Sequence, residues 1–268
     1  MNRGKAAEPA GTLALGAWMA FAVLAAVVVS DQGGPLYLDH GLLSWSVRHR
    51  PPEAVAVARG LTATGTGIVP YVLVVVAGLI AGRTARRRLM AVPLAALCLG
   101  AGQALRYGVM ELVTRARPPR YDWQTQASGW SFPSGHATTA ALTAGLLIVA
   151  LCLRAPRGRT ALCLLVACWG AGVGLTRVFL GVHWFSDVVG GWLFAAGWLG
   201  VCVGAAARWL PERESACRAS RGRQELDDTT QVPRAPEPGT PHPSETADGP
   251  VEKDASQDPH RRGRSRPA

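Results

Sequence analysis

The stretch ATTAALTAGLLIVALCL, residues 137–153, decides the fold, because it places 17 uncharged residues between His136 and Arg154. Five further uncharged runs of 17 to 23 residues cover positions 9–30, 60–82, 89–105, 160–176 and 188–207. A helix needs about 17 to 25 mostly apolar residues to cross the hydrocarbon core of a bilayer. A soluble domain could bury one such helix, but hardly six of them in succession. The sequence therefore predicts an all-α fold, a polytopic membrane helical bundle with six transmembrane helices.

The distribution of charge divides the chain into two parts. Residues 1–209 carry 18 basic and 7 acidic side chains, a net charge of +11, whereas residues 210–268 carry 10 and 11, a net charge of −1. The second part is rich in Pro, Ser, Thr, Asp and Glu, so it cannot bury enough apolar surface to offset the entropy of ordering. We expect a membrane domain over residues 1–209, with its motifs within 106–187, and a disordered cytoplasmic tail over 210–268.

Arginines in the short connections predict the orientation, since cytoplasmic loops are enriched in basic residues. The connection 83–88 holds four Arg and 154–159 holds three, whereas the longer segment 31–59 holds three in 29 residues. We therefore expect a multi-pass protein of the cell membrane with both termini in the cytoplasm. A cleaved signal peptide in place of the first span is the alternative, given Arg3 and Lys5 ahead of an apolar stretch. Cleavage would leave five spans on unchanged sides.

The segment between the first two spans carries a short apolar stripe. Leu38, Leu42 and Trp45 recur at helical spacing, and Pro51 with Pro52 ends any helix there. This pattern predicts a short helix in the outer interface, with a packed loop as the alternative.

Two classes of partner are not expected. The excess of basic over acidic residues does not indicate nucleic-acid binding, because the sequence contains no recognised nucleic-acid-binding module. The six cysteines lie in predicted spans or in the tail and show no metal-binding or disulfide spacing. No metal ion and no cofactor are therefore expected.

Charged and polar side chains gather at four ends of the predicted spans. They lie in segments 115–120, 131–136, 176–177 and 183–187. Because consecutive spans run in opposite directions, the ends of spans three and five and the starts of spans four and six share one face, which is the outer face in the predicted orientation. Ionisable groups next to membrane spans are costly, which makes them candidates for a functional site.

The residue types at this face suit a phosphate. Arginine presents a planar fork of donors, and the exposed amides of a helix that begins at Ser134-Gly135 favour an anion. His183 and Asp187 are four residues apart, so they share a helix face and the carboxylate can orient the imidazole. This arrangement favours His183 as a nucleophile and leaves His136 to protonate a departing alkoxide. The pattern predicts covalent phosphoryl transfer followed by hydrolysis.

These segments resemble the three-part signature of the type-2 phosphatidic acid phosphatase superfamily, which also includes vanadium haloperoxidases. The family pattern is Lys-x6-Arg-Pro, then Pro-Ser-Gly-His, then Ser-Arg-x5-His-x3-Asp. Here Arg117-Pro118 matches the end of the first part, residues 133–136 match the second in full, and the third is matched with Thr176 in place of Ser. The resemblance covers about residues 60–205.

The resemblance implies a role for each matched residue. His183 would accept the phosphoryl group, Asp187 would be its partner, and His136 would be the acid. The phosphoryl oxygens would be held by Arg117, Arg177, Ser134 and the amide of Gly135. The family needs no metal ion, in keeping with the expectation above.

One position departs from the family pattern. The lysine that opens the first part falls on Met110, which cannot donate a hydrogen bond to phosphate. Arg106, one turn earlier on the same helix face, is a candidate replacement, and Arg120 is another. Arg115 is a further candidate for binding substrate.

The expected function is that of an integral membrane phosphatase whose site opens to the outer leaflet. It would hydrolyse a lipid phosphate monoester or diphosphate, for which the resemblance suggests polyprenyl diphosphate, phosphatidic acid or phosphatidylglycerol phosphate. The bilayer and a membrane lipid are the expected partners, and the sequence indicates no oligomeric state. The alternative is a catalytically silent membrane protein that binds anionic lipids, for which Met110 is the best support. A haloperoxidase is disfavoured, since those enzymes are soluble.

Overall fold

The computed structural model describes the backbone of residues 4–154 and 157–230 and the side chains of residues 11–154 and 157–208. Over these residues the chain forms eight α-helices and one short 3-10 helix, Arg120–Asp122, and no strand. The α-helices are α1 (Gly4–Ser30), α2 (Tyr37–Arg48), α3 (Pro52–Ala63), α4 (Ile68–Ala81), α5 (Ala85–Val113), α6 (Gly135–Arg154), α7 (Arg159–Phe179) and α8 (Phe185–Thr230). Packing divides the chain into two units, Met1–Arg218 and Ala219–Ala268, and the candidate site lies in the first.

Five of the described helices are long and apolar enough to cross a membrane. They are α1 from Gly11, then α5, α6, α7, and α8 as far as Arg208. Helices α3 and α4 are long and apolar enough to cross a membrane only when they are taken together, and the pair is bent by 52° at the break between them. The predicted all-α, multi-pass membrane bundle is confirmed, with six spans if the bent pair counts as one.

The second span differs from the expectation of one continuous helix. The uncharged run 60–82 is interrupted, because α3 ends at Ala63 and α4 begins only at Ile68. Gly67 has φ +66° and ψ −142°, a backbone conformation that residues with a Cβ rarely adopt. Helix α4 has 14 residues, which at about 1.5 Å per residue gives about 21 Å, short of a hydrocarbon core of about 30 Å. The break brings the segment before Gly67 to the candidate site.

Helix α2 confirms the short helix predicted between the first two spans. Leu38 and Trp45 of the predicted stripe are 59% and 51% exposed, whereas Asp39 and Leu43 face inward and are buried. Helix α3 then begins at Pro52, which suits the first turn of a helix because its missing N–H needs no partner there. The segment between the first two spans therefore presents apolar side chains to the surface and a carboxylate to the interior.

An aromatic cluster joins the first helix to the segment that precedes α6. The rings of Phe21 and Phe132 stack at 5.8 Å, and Phe194 packs edge-on against Phe21 at 5.6 Å. Phe132 and Phe194 are fully buried. A Cβ on Gly190 would lie 2.4 Å from the Phe132 ring, so this close approach requires glycine. Helix α1 thus forms part of the core.

The last helix, α8, extends beyond the final apolar run of the sequence, as far as Thr230. The disorder expected of the tail from residue 210 stays a prediction. Glu, Arg and Ala dominate residues 212–226 and are good helix formers, so local propensity continues the helix without an apolar face. The remaining tail, residues 231–268, lies outside the described residues. The domain boundary at 209/210 stays a prediction.

Candidate active site

His183 has partners at both ring nitrogens. Its Nδ1 lies 3.2 Å from Asp187 Oδ2, and its Nε2 lies 2.8 Å from Arg117 Nη1. Because a guanidinium can only donate, Nε2 must accept, and the ring proton of a neutral imidazole is on Nδ1. The His183 side chain is 2% exposed, and burial lowers its pKa to about 4. At neutral pH the imidazole is therefore neutral, and the lone pair of Nε2 accepts from Arg117.

Asp187 is buried and fully hydrogen bonded. Its Oδ2 accepts from Ser131 Oγ and, at 2.9 Å, from the backbone N–H of Trp184. Its Oδ1 accepts from Arg115 Nη1 at 2.7 Å. With the His183 contact, these donors fix the carboxylate as an orienting group for the imidazole.

Arg115 is fully buried and ties α2 to this carboxylate. Its Nη2 donates to Asp39 Oδ2 at 2.9 Å, so the guanidinium bridges two buried carboxylates. Its other acceptors are Ser186 Oγ at 2.7 Å and the carbonyl oxygens of Gly34 at 2.7 Å and Gly33 at 3.3 Å. The sequence predicts substrate binding by Arg115, but the structure places its guanidinium among protein acceptors. This geometry favours a positioning role.

Arg117 is held by the loop that follows it. Its Nε donates to the carbonyl oxygen of Gly129 at 2.9 Å, and its Nη2 donates to those of Ser128 and Trp130 at 2.8 and 2.9 Å. Its Nη1 contacts the carbonyl oxygen of Val182 at 2.9 Å as well as His183 Nε2. Burial lowers the pKa of Arg117, and the Asp187 carboxylate opposes that shift. The loop thus fixes a cation directly against Nε2 of His183.

Two buried donors at the site have no partner. Ser134 Oγ and Arg177 Nε make no hydrogen bond among the described residues, although the two side chains are 0% and 2% exposed. The Nη1 of Arg177 does donate to Thr62 Oγ1 on α3, at 3.2 Å. A buried polar group without a partner costs about 1–3 kcal/mol. An oxyanion between Ser134 and Arg177 would satisfy both donors.

His136 is the second residue of α6. Its Nε2 lies 3.3 Å from Thr66 Oγ1, which belongs to the break between α3 and α4. It is close enough to Arg177, His183 and Arg117 for their charges to act on it. The structure therefore brings both predicted histidines to one site.

The environment of Met110 separates the two arginines that could replace the missing lysine. Met110 is 4% exposed, and its Sδ accepts from Arg106 Nη1 at 3.3 Å. The same Nη1 lies 3.4 Å from the position that a Cβ on Gly135 would occupy. Arg120 instead places its guanidinium 5.7 Å from the centre of the Trp123 ring and is exposed. Of the two arginines, Arg106 is therefore the one that reaches the start of α6.

Several residues of this network are not predicted from the sequence. Asp39 carries a usable signal, since it is one of only seven carboxylates in residues 1–209 and lies on the inward face of α2. Ser131 is adjacent to the Pro-Ser-Gly-His motif. The others are Thr62, Thr66 and Ser186, whose positions depend on packing between distant segments. The described residues contain no group of three or more side chains suited to hold a metal ion.

Comparison with known proteins agrees with the resemblance. The family model described as the PAP2 superfamily matches residues 91–210. This segment is thus similar to the PAP2 superfamily. A crystal structure described as the first transmembrane PAP2-type phosphatidylglycerolphosphate phosphatase from Bacillus subtilis superposes with a TM-score of 0.63, at 24% sequence identity, covering 74% of this chain and 98% of that one. The overall architecture is thus a PAP2 fold.

Curated relatives of the PAP2 segment carry phosphatase names. Phosphatidylglycerophosphatase B of Escherichia coli (strain K12) is 38% identical over 94 residues, 35% of this chain and 34% of that protein. Phosphatidylglycerophosphatase B of Bacillus subtilis (strain 168) is 28% identical over 158 residues, 57% and 75% of the two chains. Lipid A 1-phosphatase of Rhizobium etli is 37% identical over 95 residues, which make up 32% of this chain and 37% of that protein. The chain matches about a third of the length of the first and third of these relatives.

Proposed function

We propose that this membrane protein is a lipid phosphatase that hydrolyses a phosphate monoester or diphosphate through a phosphohistidine intermediate. The observation that carries the proposal is a buried, neutral His183 whose Nε2 accepts from Arg117, beside two buried donors without partners. The names of the relatives, which act on phosphatidylglycerophosphate or lipid A, support a lipid phosphate as substrate.

In the first step, Nε2 of His183 attacks phosphorus. The N–P bond forms while the bond from phosphorus to the leaving oxygen breaks, and that oxygen takes the electron pair and a proton from His136. Arg117 exchanges its hydrogen bond to Nε2 for one to a phosphoryl oxygen, so the attacking lone pair is released as the substrate binds. Ser134 Oγ, the amide of Gly135 and Arg177 hold the remaining oxygens, which is electrostatic stabilisation by preorganised donors.

In the second step, water attacks the phosphohistidine. His136 accepts the proton of the attacking water, the N–P bond breaks, and its electron pair returns to Nε2 of His183. Inorganic phosphate leaves. Asp187 keeps the proton of His183 on Nδ1 throughout, and Arg115 and Asp39 hold Asp187 in place as positioning residues.

Phosphate release by the purified protein in detergent tests this proposal. Wild type should release phosphate from a lipid phosphate without added metal and in the presence of a chelator, and His183→Ala should abolish release while retaining the fold. The matched control is His49→Ala, because His49 is exposed at the end of α2. Equal activity of His183→Ala and wild type would refute the mechanism.

A second candidate function follows from Met110. A methionine at the position of the family's lysine favours a catalytically silent protein that binds anionic lipids. The same assay separates the two candidates, because a silent protein would bind the lipid phosphate without releasing inorganic phosphate.

We also propose that the site faces the outside of the cell and that both termini are cytoplasmic. The proposal rests on the arginine-rich connections 83–88 and 154–159, which lie at the opposite helix ends from the site. In a background without the six native cysteines, an impermeant thiol reagent should label Arg120→Cys in intact cells and leave Arg86→Cys unlabelled. The reverse labelling would contradict the orientation.

A further inference from the structure

A groove with both polar and apolar lining lies beside His136. Its volume is about 440 Å³. The second span lines it with Thr66, Gly67 and Tyr71, helix α5 with Gln103, Ala104, Arg106 and Tyr107, and helix α6 with Gly135, His136 and Thr139. His183, Arg117 and Arg177 do not line it. The groove therefore adjoins the proposed acid but not the proposed nucleophile.

The direction of phosphoryl transfer assigns an occupant to this groove. Attacking and leaving atoms lie roughly in line on opposite sides of phosphorus. Because His183 attacks and His136 protonates the leaving oxygen, the leaving group must lie on the His136 side. This step rests on the proposed function, and it makes the groove the binding place of the leaving group.

Arg106 is the cation of this groove. Its Nε is buried and makes no hydrogen bond, and its Nη1 has only the weak sulfur acceptor of Met110 at 3.3 Å. Among the described residues no carboxylate lies within salt-bridge distance of Arg106. A partly buried guanidinium without an anionic partner is costly, and an anionic ligand group would offset that cost.

We propose that Arg106 recognises a second phosphate carried by the leaving group, and that the enzyme prefers such lipids. In a polyprenyl diphosphate the leaving group is a polyprenyl phosphate, and in phosphatidylglycerol phosphate it is phosphatidylglycerol, which carries a phosphodiester. In phosphatidic acid the leaving group is the uncharged diacylglycerol, which would cover Arg106 but offer its guanidinium no anionic partner. A charge-assisted hydrogen bond contributes about 1.5–3 kcal/mol, which corresponds to a preference of about 10- to 100-fold in kcat/KM.

The test is a comparison of kcat/KM for phosphate release from these three lipids by wild type, Arg106→Gln and Arg106→Lys. Wild type should prefer the two lipids with a second phosphate by at least about tenfold. Arg106→Gln should lower kcat/KM on those two by about 10- to 100-fold, a loss that exceeds any loss on phosphatidic acid by at least about tenfold. Arg106→Lys should keep much of the preference, which shows that a loss in Arg106→Gln comes from charge and not from misfolding. The control is Arg86→Gln, exposed at the opposite end of α5.

Two results would overturn this assignment while leaving the phosphatase proposal intact. An equal loss on all three lipids in Arg106→Gln would place Arg106 on the transferred phosphoryl group, in the role of the family's lysine. Three kcat/KM values equal to those of wild type would remove Arg106 from recognition altogether. If wild type released no phosphate from any of them, the proposed function would fail, and this inference with it.

Discussion

Asp39→Asn tests whether helix α2 holds the orienting carboxylate of the site. Asp39 is 1% exposed, and all four of its contacts come from donors. Its Oδ2 accepts from Arg115 Nη2 at 2.9 Å, Ser186 Oγ at 2.6 Å and the backbone N–H of Leu36 at 2.9 Å, and its Oδ1 accepts from the N–H of Ser186 at 2.8 Å. An asparagine has the same shape but must direct an NH₂ group at one set of these donors.

The structure sets the size of the effect on stability. Removing one partner of a buried ion pair costs about 3–5 kcal/mol. Arg115 retains Asp187, so the lower end applies, and we expect a loss of about 3 kcal/mol. For a domain of this size that loss corresponds to a fall in Tm of about 6–12 °C.

The same substitution should slow catalysis without weakening substrate binding. Without the charge of Asp39, Arg115 is drawn toward Asp187, which displaces the carboxylate that orients His183. A displacement of about 1 Å at a reacting group can cost about 100-fold in rate. Because Asp39 touches no substrate, kcat should fall by about 10- to 100-fold while KM stays within about twofold.

The assay is phosphate release in detergent well below the Tm of both proteins, together with thermal unfolding. Asp31→Asn is the matched control, because Asp31 is exposed just before α2. A value of kcat for Asp39→Asn equal to that of wild type would refute the positioning role, even if Tm fell. A rise in KM at unchanged kcat would instead place Asp39 in substrate binding.

Two further predictions concern acidity and packing. The pKa of His183 is about 4 in the folded protein, because burial disfavours its charged form, and about 6.5 when unfolded. As pH falls, the unfolded chain therefore binds a proton at this histidine before the folded protein does. The free energy of unfolding should drop by on the order of 3 kcal/mol between pH 6.5 and 4. Unfolding measurements on His183→Gln should not show this drop. Gly190→Ala should cost about 1–3 kcal/mol, because its Cβ would lie 2.4 Å from the buried Phe132 ring. On the same helix Gly204→Ala meets nothing within 4 Å, so thermal unfolding should show it neutral or stabilised. Equal effects of the two alanines would contradict the packing argument.

The membrane bundle, and the fact that its site residues share one face, could be predicted because both depend on local sequence patterns. Uncharged runs mark spans whatever they pack against, and their alternating direction brings His136 and His183 to one face. The signature motifs add the chemistry, since each requires particular residue types at a fixed spacing.

The break in the second span was not predicted, because the residues that produce it are uncharged. The run 60–82 has no charge, yet Gly67 adopts a positive φ and the helix stops at Ala63. Hydropathy alone does not register such a break. The Gly65-Thr66-Gly67 sequence was the available signal, and it places Thr66 against His136.

The network around Arg115 was beyond prediction for a different reason. Asp39 and Asp187 are 148 residues apart in sequence, and only the folded chain shows that one guanidinium bridges them. The sequence motif singled out Arg117, and Arg115, two residues earlier, was only a further candidate for binding substrate. Tertiary packing decides that Arg117 contacts the nucleophile and that Arg115 contacts the orienting carboxylate.

Trapping of the covalent intermediate tests the central claim most directly. With a diphosphate substrate the leaving group is a phosphate, whose pKa of about 6 makes protonation by an acid unnecessary. His136→Ala should therefore still form the phosphoenzyme but hydrolyse it slowly, so that the intermediate accumulates. Mass spectrometry of the quenched protein should find one acid-labile phosphoryl group on His183, absent when His183→Gln is added. Turnover of the diphosphate by His136→Ala with no phosphoryl group on His183, or with one on another residue, would contradict the account.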